Sequence, residues 1–204
     1  PVYRASWHLA RFLRRLLFHY RVEGAEKVPA EGPVILAANH LSILDPIVVG
    51  AGIRRPVSFM ARADVFRLPF LSWLLPRLYA IPVERGSGDL SAVKGAIRAL
   101  ERGMAFGIFP EGTRNKGEEL SLLPFHNGSF KIAEKTGCPI IPMSLNNTCD
   151  IFEGHFPFIK KTHVILEYGK PIYPKELDKD EKKRIGEYCS NIISETIHKN
   201  QALV

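Results

Sequence analysis

Val34-Ile35-Leu36-Ala37-Ala38 is an unbroken apolar run of strand length. A strand wet on one face alternates polar and apolar residues. One that does not alternate is buried on both faces, as in a parallel sheet covered by helices. Met104 to Phe109 and Pro139-Ile140-Ile141-Pro142-Met143-Ser144 read as further buried strands, with shorter candidates at Tyr20 to Glu23, Val57 to Ala61, Ile81 to Val83 and His163 to Tyr168. Helical spacing separates them: an apolar helix over Pro46 to Gly50, an amphipathic one marked by Leu90, Val93, Ile97 and Leu100, and a short one over Phe130 to Thr136. The alternation predicts a single α/β domain with a mostly parallel sheet flanked by helices. A chain of 204 residues is long enough for one full core. No internal repeat or low-complexity tract interrupts it.

Loops at the carboxyl ends of parallel strands are where such sheets place their chemistry. The first run leads into Asn39-His40-Leu41-Ser42-Ile43-Leu44-Asp45. A neutral imidazole at His40 can take a proton from a hydroxyl near pH 7. A carboxylate on its other nitrogen, at Asp45, would hold the tautomer and stabilise the imidazolium. No serine or cysteine nucleophile is needed if the substrate brings the hydroxyl. The competing reading makes Asp45 the N-cap of a helix whose first residue is Pro46, its carboxylate spent on backbone amides. The second run delivers Phe109-Pro110-Glu111-Gly112-Thr113-Arg114. The planar fork of Arg114 suits a phosphate, and Gly112 lets backbone approach a ligand. Against this stands a plain turn in which Arg114 pairs with Glu111.

Taken together, Asn-His-x-Ser-x-x-Asp and Phe-Pro-Glu-Gly-Thr-Arg, in this order, resemble the glycerolipid acyltransferase family, and within it the bacterial 1-acyl-sn-glycerol-3-phosphate acyltransferases. The likeness runs from about Val34 to Ser144. It implies the αβ fold of that family with an N-terminal helical element, and transfer of a fatty acyl group from a thioester (acyl-CoA or acyl carrier protein) to the free hydroxyl of lysophosphatidate, without a cofactor. His40 would be the general base and Asp45 would orient it. Arg85, Glu111, Gly112, Thr113, Arg114, Asn39 and Ser42 would form the substrate site, the two arginines on the acceptor phosphate. Ile81-Pro82-Val83-Glu84-Arg85 resembles a further family block ending in arginine, although Tyr79 stands where glycine is usual. His126 replaces the usual lysine of Phe-Lys-x-Gly. Another lysolipid acceptor, glycerol 3-phosphate as acceptor, and a non-catalytic lipid-binding role remain open alternatives.

Lys and Arg exceed Asp and Glu by 28 to 21, a net charge of +7 that favours an anionic partner. The arginines concentrate in the first helix and the motif loops rather than along a groove with stacking aromatics, so a membrane surface fits better than nucleic acid. Residues 3 to 20 predict a basic amphipathic helix, with Leu9, Phe12, Leu13, Leu16, Leu17 and Tyr20 on one face and Arg4, Arg11, Arg14 and Arg15 on the other. It either lies in a membrane interface or packs on the domain. Trp7 and Phe18 fall on its basic face. Residues 1–25 are accordingly taken as a membrane-associating helix and 26–204 as the acyltransferase domain, at the cytoplasmic face of a membrane. The chain begins with Pro1, so a preceding membrane segment is also considered.

Cys138, Cys149 and Cys189 have no ligand or redox spacing, which suits reduced thiols. The histidines show no metal-binding pattern. Phe66 to Tyr79 carries an apolar stripe expected mainly as core packing, with an acyl-pocket wall or a membrane-dipping surface as the alternative. Phe152, Phe156, Phe158 and Ile159, in an irregular stretch from Asn146 to Lys161, are expected mainly to cover the core, with a membrane contact beside Lys160 and Lys161 as the alternative. A charged helix should follow from about Asp178.

Overall fold

The computed structural model describes residues 2–17, 19–84 and 90–204. Among these residues seven strands form one sheet: β1 (His19–Glu23), β2 (Val34–Ala38), β3 (Val57–Arg62), β4 (Ile81–Val83), β5 (Ala105–Ile108), β6 (Ile140–Asn146) and β7 (His163–Tyr168), in the order β1-β7-β6-β2-β5-β3-β4. All neighbours are parallel except β6 and β7. The helices are α1 (Val2–Leu17), α2 (Asp45–Gly52), α3 (Pro69–Arg77), α4 (Leu90–Glu101), α5 (Lys131–Thr136), α6 (Lys179–Lys183) and α7 (Ile185–Gln201).

The central strand explains its own composition. Val34, Leu36 and Ala38 enter one core with Val48 and Val49 of α2 and Ile141, Met143 and Leu145 of β6. Ile35 and Ala37 enter the other with Ala96 and Leu100 of α4, Ile132 of α5 and Cys189 of α7. Every residue of β2 is fully buried, so no polar residue could interrupt it without an unpaired group in a core.

This topology positions the loops. Because β2 lies between β5 and β6 and runs parallel to both, the segments that follow these three strands emerge at one end of the sheet. Antiparallel β7 starts at that same end, so residues 147–162 lie there too. Parallel to β7, β1 also starts there, and α1 therefore runs towards it.

Of the two settings open to the apolar stripe of α1, the domain does not take it at Leu9 and Phe12, which are 57% and 64% exposed. The helix docks instead through Tyr3, whose hydroxyl accepts from the Val57 amide, and through Trp7, whose Nε1 donates to the Ile53 carbonyl at 2.8 Å. Trp7 thus belongs to the domain contact, with Arg11 stacked over its ring. Next, α3 buries none of its residues, and Phe70 and Trp73 are exposed. It follows β3 and precedes the edge strand β4, where little sheet is left to cover. Finally, Phe156 and Phe158 are 73% and 74% exposed rather than folded onto the core, whereas Phe152 packs on it. Phe18 lies outside the described residues.

Candidate active site

The loop after β2 is wound around Asp45. Its Oδ2 accepts from the Leu41 amide at 2.7 Å, the Ser42 amide at 2.8 Å and His40 Nδ1 at 2.8 Å. Oδ1 is buried without a partner among the described residues. Asp45 is the first residue of α2 and Leu44 its N-cap, so the carboxylate serves the preceding loop rather than the helix amides. This resolves the two readings of Asp45-Pro46: proline fills the first turn, where its missing N–H costs nothing, and the carboxylate stays on the histidine. With Nδ1 donating to a carboxylate, the neutral ring carries its lone pair on Nε2, and the His40 side chain keeps 19% exposure while Asp45 has none.

The loop after β5 holds His40 from the other side. The His40 amide donates to Glu111 Oε1 at 2.8 Å, and its carbonyl accepts from the Asn115 amide at 2.7 Å. The ring stacks on Phe109 with centroids 4.1 Å apart, and Phe109 stacks in turn on Phe59 at 5.8 Å. Gly107 makes room for that stack, since a Cβ there would stand 2.0 Å from the Phe59 ring. The imidazole is thus fixed by a carboxylate at its edge, an aromatic face and both of its main-chain groups.

The residues expected at the substrate divide. Asn39 is buried, its amide donating to the Leu145 carbonyl at 2.9 Å and its Oδ1 accepting from the Leu145 amide at 2.8 Å, so it joins the end of β2 to β6. Glu111 is only 2% exposed and accepts from the amides of His40 and Leu123. Both hold backbone. Burial pushes the Glu111 carboxyl above its ordinary value, against the pull of those two amides. Ser42 is buried as well, its hydroxyl spent on Glu153. Gly112, at φ +69°, and Thr113 are exposed, with His126 against Gly112. Arg114 is half-buried and pairs through Nη1 with Glu153 at 3.0 Å, not with Glu111. Arg85 lies outside the described residues.

Sequence reasoning did not single out Phe109, Asn115 or Glu153. Phe109 stood inside a recognised motif and Asn115 directly after it. Glu153 had no local signal: it lies 111 residues from Ser42, in a short 3₁₀ turn, Glu153–His155. Among the described residues no group of three His, Cys, Asp or Glu side chains is arranged to hold a metal.

A family model described as Acyltransferase matches residues 19–146, a span that takes in the His40 loop, the Glu111 loop and β6. The chain belongs to the acyltransferase family. It is 32% identical over 166 residues to a 1-acyl-sn-glycerol-3-phosphate acyltransferase of Borreliella burgdorferi, covering 80% of this chain and 66% of that one. It is also 32% identical over 166 residues to a lyso-ornithine lipid O-acyltransferase of Pseudomonas aeruginosa, covering 80% of this chain and 62% of that one. The chain therefore spans less than two thirds of either relative. The crystal structure of the 1-acyl-sn-glycerophosphate acyltransferase PlsC from Thermotoga maritima superposes with a TM-score of 0.82 at 25% identity, covering 98% of this chain and 80% of that one. An acyltransferase whose histidine is oriented by a buried carboxylate and backed by an aromatic ring is equipped to deprotonate a hydroxyl. Cys138 and Cys189 are buried, and burial raises the Cys149 thiol to about 11.

Proposed function

We propose that this acyltransferase moves a fatty acyl group from an acyl thioester, acyl-CoA or acyl carrier protein, to the free hydroxyl of lysophosphatidate, giving phosphatidate. The observation that carries the chemistry is the 2.8 Å contact between His40 Nδ1 and a fully buried Asp45, which leaves Nε2 to accept a proton. Nε2 takes the acceptor's hydroxyl proton as its oxygen attacks the thioester carbon. Asp45 stabilises the imidazolium that results. The tetrahedral intermediate collapses, the C–S bond breaks, and the thiolate leaves with the proton returned by His40. No acyl-enzyme forms. The names of the Borreliella and Thermotoga relatives support the acceptor, and so does a guanidinium at Arg114 in the loop next to His40.

A bilayer face is the natural setting for such an acceptor. Among the described residues no helix is long and apolar enough to cross a membrane. The exposed Leu9 and Phe12 of α1, with Ile43, Phe156 and Phe158 at the sheet end that carries His40, supply apolar contacts for peripheral binding, and the basic charge favours anionic lipid. The cytoplasmic face is part of this proposal.

The test is turnover of lysophosphatidate, lyso-ornithine lipid and monoacylglycerol with each donor, following thiol release and lipid product. Phosphatidate formed mole for mole with thiol is the expected result. Preference for lyso-ornithine lipid would replace the acceptor and leave the chemistry. Failure on every acceptor would leave a lipid-binding protein.

A further inference from the structure

Glu153 stands outside both motif loops and ties them together. Its Oε2 accepts from the Ser42 hydroxyl at 2.7 Å. Its Oε1 accepts from the Ile43 amide at 2.6 Å and from Arg114 Nη1 at 3.0 Å. A hydroxyl, a main-chain amide and a guanidinium converging on one carboxylate make a site for an anion, and the protein's own side chain fills it. The loop that supplies two of these donors also carries His40 and Asp45. Burial pushes the Glu153 carboxyl up, but the Ile43 amide, the Ser42 hydroxyl and Arg114 outweigh it and hold the group below the ordinary carboxylate value. It is an anion at neutral pH.

The Arg114 and Glu153 side chains are 38% and 27% exposed. Ion pairs this wet contribute little and are released at small cost. Glu153 is carried by a 3₁₀ turn in an otherwise irregular stretch, so its carboxylate can withdraw without breaking a strand or helix.

We propose that Glu153 is the resident anion of the acceptor phosphate site: its carboxylate occupies the Ser42, Ile43 and Arg114 donors in the free protein and yields them to the phosphate of the acceptor. This rests on the reading of Arg114 as the phosphate ligand. The consequence is a competition that only an anionic head group enters. A phosphate dianion carries more charge than the carboxylate and displaces it. A neutral head group cannot, and gains nothing from the donors. The cost is borne in affinity, because only the fraction of protein with the donors free binds the phosphate.

Glu153→Gln keeps the shape and one acceptor oxygen but loses the charge. The KM for lysophosphatidate should fall ~3–30-fold as the competent fraction rises, kcat should stay within about threefold of wild type, and the ratio of KM values, monoacylglycerol over lysophosphatidate, should rise. Inorganic phosphate, measured by calorimetric titration of the same proteins, should bind tighter in step. An unchanged lysophosphatidate KM, or a fall in kcat with both acceptors and no change in phosphate binding, would mean that Glu153 only braces the Ser42 loop, and the proposal is then wrong. If Glu153→Gln does not fold, Glu153→Asp keeps the charge but is one methylene too short to reach all three donors. The same changes should appear in smaller measure, and their absence overturns the proposal equally. The two readings fail separately. Tighter phosphate binding in the variant with no lysophosphatidate turnover in wild type would retain the anion site and discard the acceptor. Turnover in wild type with no effect at Glu153 would do the reverse.

Discussion

Asp45→Asn separates an orienting carboxylate from a charged one. In the serine-protease triad the equivalent asparagine leaves the imidazole in the wrong tautomer, which costs about 10⁴-fold; this happens when the amide presents its NH₂ to the ring. That flip of the amide is blocked here. The Leu41 and Ser42 amides donate to the same Oδ2 that receives His40 Nδ1, so an asparagine must keep its oxygen there or face two N–H groups with its own NH₂. The NH₂ then falls where Oδ1 now sits, buried and without a partner. The correct tautomer survives and only the charge opposite the developing imidazolium is lost. Removing one preorganised electrostatic partner of this kind costs about 2.7–4 kcal/mol, or ~10²–10³-fold in kcat. Asp45→Ala should be worse in two ways. It also strands two loop amides in the interior, at about 1–3 kcal/mol of stability each, and it frees the ring to rotate. The assay is thiol release at saturating acceptor, with urea unfolding of each protein alongside. Asp45→Asn retaining more than a tenth of wild-type kcat would refute the electrostatic role. Asp45→Asn as inactive as Asp45→Ala would refute the blocked flip.

Arg114→Ala should lower kcat/KM for lysophosphatidate ~10–10²-fold, since hydrogen bonds to charged groups contribute about 1.5–3 kcal/mol, and should affect monoacylglycerol much less. Arg114→Lys should restore only part of this because a point charge lacks the bidentate fork; an equal loss with both acceptors would remove Arg114 from the phosphate site. Gly107→Ala should cost about 1–3 kcal/mol of stability through overpacking against Phe59, and by moving the Phe59–Phe109 stack should lower kcat even where the variant is fully folded. An unchanged kcat there would show that the stack does not position His40. Replacing Leu9 and Phe12 by Ser should weaken binding to anionic vesicles at least about tenfold, each buried apolar side chain being worth about 1.5–3 kcal/mol, while leaving the melting temperature unmoved because both are exposed in the free protein. Equal vesicle binding would return α1 to a packing role.

The doubly buried strand was readable because burial on two faces leaves an unbroken apolar run of strand length, and β2 lies between two cores as its residues require. The motif loops were readable because their spacing from the strands is local. That they would grip each other was not, since the order in which β5 and β6 flank β2 is a tertiary fact. Glu153 was invisible for the same reason in stronger form: no periodicity marks a carboxylate in an irregular segment. In α1 the helix was readable and the partner of its apolar stripe was not, because a stripe announces a partner without saying whether that partner is the protein. Trp7 took the domain contact through its N–H, a bond that helical spacing does not encode. Tyr79 is a case where departure from the family pattern carried structural information. It adopts φ +60°, the left-handed conformation natural to the glycine usual there, and its ring packs 5.5 Å from Tyr3.

The proposed chemistry depends above all on His40 as the base. Purified His40→Ala, shown by unfolding to be native, should lose ~10²–10⁴-fold or more in acyl transfer to lysophosphatidate, with the KM for the thioester donor little changed because the imidazole acts on the acceptor's hydroxyl. A folded His40→Ala protein that releases thiol and forms phosphatidate at the wild-type rate would contradict it.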